Sequence, residues 1–292
     1  MKAMNIQGIV FCLAALLVTA LSFVAVQPDE RTELIILAAL ILLLGVPHGA
    51  FDTIFAWKLY GIESLFGWVG FVIVYLLLAA SVVAVWVVTP AVFLLGFLLI
   101  STVHFSGDPT EGTPLPTRLL YGGSILILPT LLHPGEVSRL FGLLVGEGTA
   151  CMVLPWIRVL AWAWLPCVSL AVILRSRREM LGSVEIGATA LLALVAPPLV
   201  SFTLFFCGMH SARHILRTID YSGRASTRVL LLASLLPMTG VLAFSAVAWH
   251  FLKDTPLEAR VVQIIFVGLA ALTVPHMILV ERVRISGWAK GA

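Results

Sequence analysis

Seven histidines stand in a chain of 292 residues of which only 11% are charged. Two of them, His210 and His214 in the run GMHSARH, are four apart. On an α-helix that spacing puts both imidazoles on one face, one turn apart, where they could share a metal ion. His48, His104 and His276 stand near the ends of apolar stretches. An ionisable group within a membrane span is costly enough to mark a functional site by default. Placed by depth, these five histidines from four helices share one level, whereas His133 and His250 fall at the opposite helix ends, where an imidazole in contact with water needs no special account. An all-imidazole set suits iron, copper, zinc or nickel rather than magnesium or calcium, and oxygen chemistry would single out iron. The structural alternative is that each histidine hydrogen-bonds across helices as membrane-bundle glue, with Pro47 and Pro275 marking kinks. Five at one depth weigh against it.

Two carboxylates accompany the histidines. Asp52 is four residues beyond His48 on the same helical face, and Asp108 four beyond His104 where that span ends. A metal-bound imidazole usually donates its other N–H to a carboxylate or carbonyl, which fixes the tautomer. Asp52 is expected in that supporting role or as a ligand. Asp108, beside Pro109, reads as an interfacial or helix-terminal residue. Arg213, between the paired histidines, is expected to snorkel to headgroups or to pair with one of these carboxylates.

The elements that must position these residues follow from composition. With 60% apolar residues, the solvent for most of the chain must be lipid. Apolar segments run over 8–26, 34–57, 66–88, 91–107, 118–132, 151–174, 181–198, 199–216, 229–252 and 260–280. About 20 apolar residues suffice to cross the hydrocarbon. The expectation is one all-α membrane domain over 1–292, a bundle of about ten spans, with eight or nine if the pair divided by Pro197 and Pro198 is counted differently. Lys2 and the small Ala25 raise a signal peptide as an alternative for the first run, against which stand its length and the lack of an A-x-A site. Basic residues collect at one set of ends: Lys2, Lys58, Arg118, Arg175, Arg177, Arg178, Arg217, Arg224, Arg228, Arg282, Arg284 and Lys290. By the positive-inside rule both termini are then cytoplasmic, in a multi-pass protein of the inner (plasma) membrane. Arg31, Arg139, Lys253, Arg158 and Arg260 fall outside. The net charge of +3, with no basic stripe, gives nucleic-acid binding no support. The four cysteines form no CxxC pair and read as small core residues.

Four motifs in order, GVPHGAFD (45–52), HFSGD (104–108), FFCGMHSARH (205–214) and LTVPHM (272–277), resemble the Brp/Blh family of membrane-embedded β-carotene 15,15'-dioxygenases, over about 40 to 285. The resemblance implies central cleavage of β-carotene by dioxygen to two molecules of retinal, at a non-haem Fe(II). It carries the iron ligands onto His48, His104, His210 and His214, and leaves His276 as a fifth candidate; because Pro275 can bend the helix and turn the next side chain inward, His276 is expected close to the metal but not a main ligand. A microbial rhodopsin is the implied acceptor of the retinal. The loops over 106–118 and 135–150 look individual to this chain and could alter substrate entry. No protein nucleophile is needed, in keeping with the lack of a Ser-His-Asp or Cys-His pattern. A carotenoid is an apolar rod about as long as the roughly 30 Å hydrocarbon core. Its site should be a tunnel open to lipid, for which Phe51, Phe55, Phe105, Phe202, Phe205, Phe206 and Tyr121 are candidate lining residues.

Two other classes stay open on the residues alone. A di-iron membrane hydroxylase or desaturase also gathers histidines, but generally about eight in several HxxxH or HxxHH boxes, and iron per chain would separate the two. A transporter or bis-histidine haem carrier would use the same polar residues as a pathway or as axial ligands, and haem would show a Soret band.

Overall fold

The computed structural model describes residues 2–24, 29–223 and 227–283, all helices and connecting turns among the described residues. Ala25, Val26, Arg224, Arg284 and Lys290 lie outside them. The chain opens with α1 (Lys2–Leu21) and α2 (Glu30–Leu40). The second continues through a π-helical stretch, Ile41–Gly45, and a 3-10 stretch, Val46–Phe51, into α3 (Asp52–Tyr60). Then follow α4 (Leu65–Val88), α5 (Pro90–Phe105), α6 (Leu115–Ile127), α7 (Pro129–Leu132), α8 (Pro134–Val145) and α9 (Glu147–Ser176). After α10 (Met180–Val195) comes α11 (Pro198–Leu204), which passes through a second π-helical stretch, Phe205–Ser211, into α12 (Ala212–Tyr221). The long helices α13 (Thr227–Phe251) and α14 (Leu257–Val283) close the bundle.

The sequence explains most of these boundaries. Pro90, Pro129, Pro134 and Pro198 each stand in the first turn of a helix, where a missing N–H costs nothing. Ser64 caps α4 by accepting from the Gly67 N–H at 3.1 Å. Where a short helix ends inside the bundle, its free carbonyls have no water to turn to and side chains supply donors. Trp86 Nε1 donates to Leu144 O in the last turn of α8 at 2.9 Å.

Among the described residues seven helices are long and apolar enough to cross a membrane, and α5 and α10 are apolar but shorter. The expected count of about ten is therefore too high, although each expected apolar segment falls on helix. Two short spans and the broken α11–α12 segment account for the difference. A further correction concerns 135–150, expected as a loop: α8 fills most of it, starting at Pro134 and turning Val137, Leu144 and Val145 inward. Phe66 (90% exposed) on α4 and Leu236 (78%) on α13 face outward with many other large apolar residues. Only lipid accommodates such a surface.

Side-chain contacts sort the basic residues into two sets. At the histidine-bearing end Lys58 donates to Tyr221 O, Arg118 to Ser106 O, Arg217 to Gly107 O and Arg282 to the Tyr60 hydroxyl. Arg175 pairs there with Glu179 and Thr110. At the other end Arg139 pairs with Glu30 and Arg31 with Glu258.

Candidate metal centre

Five histidines converge inside the bundle. His48 stands on the 3-10 stretch after α2, His104 in the last turn of α5, His210 on the second π stretch, His214 on α12 and His276 on α14 just past Pro275. His48 has ring centroids 4.9 Å from His210, 5.3 Å from His214 and 5.2 Å from His276. His104 stands 4.4 Å from His210 and 5.2 Å from His276, and His214 lies 5.0 Å from His276. One ring nitrogen each of His48, His104 and His276 lies within 4.8 Å of the other two. His133 and His250 join none of this. The former bridges Val195 O and Glu136 at the other end, and the latter lies against Phe251.

Irregular helix brings the rings together. The π stretch that carries His210 runs into α12, which carries His214, and the two rings stand 6.4 Å apart and nearly parallel, at 21°. π turns are rare and gather at functional sites. The 3-10 stretch does the same for His48, and Gly45 just before it lets the ring of Phe206 close in. A Cβ at 45 would come within 2.3 Å of that ring.

The Nδ1 atoms of three of the rings are held. His210 Nδ1 faces both oxygens of Asp108 at 3.0 and 3.1 Å, and His276 Nδ1 lies 2.6 Å from Asp52 Oδ1. The other oxygen of Asp52 accepts from the Tyr75 hydroxyl at 2.9 Å. His48 Nδ1 lies 2.5 Å from the Gly45 carbonyl and 3.0 Å from Ser211 Oγ. A proton on each Nδ1 satisfies these acceptors and leaves Nε2 with a free lone pair. The Nε2 atoms of His210 and His276 are buried and have no hydrogen-bond partner. A buried polar atom without a partner is costly, so two of them among converging imidazoles form part of a donor set that a metal cation fits. Such a ring-nitrogen set, oriented from behind by carboxylates, is the usual construction of a transition-metal site.

Several expectations change. Asp52 supports His276 rather than His48. Asp108 is not an interfacial loop residue; it is 3% exposed and holds His210. The loop 106–114 folds inward because Arg217 donates to the carbonyls of Gly107 and Asp108. Arg213 does not snorkel. It is 2% exposed and pairs through both terminal nitrogens with Glu185, at 3.0 and 2.6 Å. Stranding either charge of such a pair costs about 3–5 kcal/mol. Tyr75, Ser211 and Glu185 went unremarked in the sequence. Glu185 carried a usable signal, a lone carboxylate in an otherwise uncharged span.

Aromatic rings lead away from the cluster. Phe206 lies 5.7 Å from His210 and 5.5 Å from Phe202, Phe202 lies 5.3 Å from Phe266, and Phe97 follows at 6.3 Å and Phe93 at 6.1 Å. Of the expected lining residues, Phe202 and Phe206 belong to this series, while Phe105 and Phe55 pack on His210 and His214. Phe51 packs with Ile54 and Leu230. Phe205 and Tyr121 face each other 5.7 Å apart, on the side of Phe11.

The family model described as β-carotene 15,15'-dioxygenase matches residues 39–283. A β-carotene 15,15'-dioxygenase of the uncultured marine bacterium 66A03 is 32% identical over 254 residues, covering 83% of this chain and 91% of that protein. A probable β-carotene 15,15'-dioxygenase Blh of Halobacterium salinarum is 26% identical over 320 residues, covering 95% and 91%. No solved structure matches. This chain belongs to the β-carotene 15,15'-dioxygenase family.

Proposed function

We propose that the protein cleaves β-carotene centrally with dioxygen, giving two molecules of retinal, at one non-haem iron held by the converging histidines. The observation that supports it best is the pair of buried, unpartnered Nε2 atoms on His210 and His276, each backed by a carboxylate and facing the other converging rings. His48, His104, His210 and His214 are the proposed ligands. His276 joins them, because its nitrogen is among the three that approach within 4.8 Å. Bound there, iron would supply the activation of dioxygen that no side chain of this chain can perform.

The remaining work falls to the protein. Asp108 and Asp52 keep Nδ1 of His210 and His276 protonated, so that Nε2 presents its lone pair. Tyr75 fixes Asp52 in turn. The apolar wall excludes water from the reacting centre. The aromatic series from Phe206 to Phe93 is proposed to take one arm of the polyene. From His104 back to Phe93 α5 rises about 17 Å, close to half of a rod as long as the roughly 30 Å hydrocarbon core. A metal at one end of this series would meet the middle of the rod.

The histidine end is proposed to face the cytoplasm, since Lys58, Arg118, Arg175, Arg217 and Arg282 gather there, with the chain in the inner membrane and retinal delivered to a microbial rhodopsin. Expression in cells that make β-carotene tests the activity. Retinal as the sole cleavage product is expected, and longer apocarotenals or intact β-carotene would overturn central cleavage. Cysteines placed at 178 and 136 test orientation, with labelling from outside expected only at 136.

A further inference from the structure

We infer that the first helix, which lies ahead of the residues matched by the family model, is a working part of the metal centre, with Gln7 as a positioning residue for His210. The inference rests on the histidine cluster being that centre. A π turn spaces its hydrogen bonds one residue wider than an α-helix and leaves carbonyls poorly served. Gln7 Nε2 serves them from outside, donating to Gly208 O at 2.8 Å and more weakly to Met209 O at 3.4 Å. These are the two residues immediately before His210.

The same amide is tied down at its other atom. Gln7 Oε1 accepts from Arg213 Nε at 3.0 Å. Arg213 spends its remaining nitrogens on Glu185 of α10 and on the Asp108 carbonyl at 3.1 Å. One guanidinium therefore links α1, α10, the Asp108 loop and the helix that carries His214. The neighbouring residue shows that the approach is built in: a Cβ on Gly8 would fall 2.0 Å from Glu185 Oε1 and 3.1 Å from Arg213 Nη2. Any larger residue would push α1 off the ion pair. Gln7 thus fixes His210 through the backbone before it, while Asp108 fixes the ring from behind.

Titrating the metal-free full-length protein in detergent with Co²⁺, followed by its visible ligand-field bands, reads the site without turnover. Gln7→Leu, or Gln7→Met if leucine is not accommodated, should bind Co²⁺ about tenfold more weakly and with shifted bands, as supporting residues of metal sites do. Gln263→Leu is the control. Gln263 makes the same kind of bond between helices, to Leu143 O at 2.9 Å, away from the histidines. Its loss should leave both readings unchanged. Wild-type affinity and bands in the Gln7 variants would overturn the inference, as would equal weakening in Gln263→Leu. His210→Ala separates the two levels: if it too binds Co²⁺ like the wild type, the metal centre itself is misassigned.

Discussion

His210 and His133 are the same residue type at opposite ends of one bundle, and their surroundings give them different chemistry. His210 is buried, its Nδ1 held by a carboxylate that is itself buried, and its Nε2 has no partner. His133 has both nitrogens occupied, by Val195 O and by a half-exposed Glu136, at a helix start that reaches water. A histidine with every polar atom satisfied is finished as a structural residue. One that is locked from behind and left open in front is prepared for a further ligand, and only the second condition needs a buried carboxylate.

The largest effect should come from removing the converging imidazoles. His48→Ala, His104→Ala, His210→Ala and His214→Ala should each abolish retinal formation and bring iron content close to zero, measured together on purified protein. His276→Ala should lose iron as fully. Full iron with reduced turnover in that variant would return His276 to a place beside the metal. Next come the carboxylates behind the rings. Asp108→Asn and Asp52→Asn keep the shape but lose the charge, and metal affinity should fall about 10- to 100-fold. Tyr75→Phe, which leaves Asp52 with His276 alone, should cost less than either in the same titration. At the other end, His133→Ala and His250→Ala should leave turnover within about twofold, as surface changes usually do. Loss there equal to that at His210 would erase the contrast between the two ends.

The smallest expected effect lies in the turn between α9 and α10. Desolvation raises the pKa of Glu179, but hydrogen bonds from Thr110 and Arg175 outweigh it and hold the group below the ordinary carboxylate value. A carboxylate depressed on folding contributes stability above its unfolded pKa, and that contribution is lost as pH falls through the folded value. Glu179→Gln should therefore be slightly less stable than the parent at neutral pH, and the two should converge under acid in thermal unfolding.

The membrane class, the helical spans and the shared depth of five histidines were legible in the sequence, because lipid forces apolar runs and makes each buried titratable group conspicuous. What stayed hidden depends on chain meeting chain. Nothing in FFCGMHS announces a π turn; it forms where Gln7, some two hundred residues earlier, can reach the carbonyls of Gly208 and Met209. Asp108 looked interfacial because it follows the end of a span, and its burial depends on Arg217 and Arg213 drawing the loop inward. The helix α8 was missed for another reason: it is too short and too polar to register as a span, although Pro134 at its start and the spacing of Val137, Leu144 and Val145 were there to read.

Iron per chain in protein purified without chelator bears most directly on the centre proposed here. One iron per polypeptide is expected in the wild type and close to none in His210→Ala. Two irons per chain, or one iron retained after His210 is removed, would contradict a single site built from these histidines.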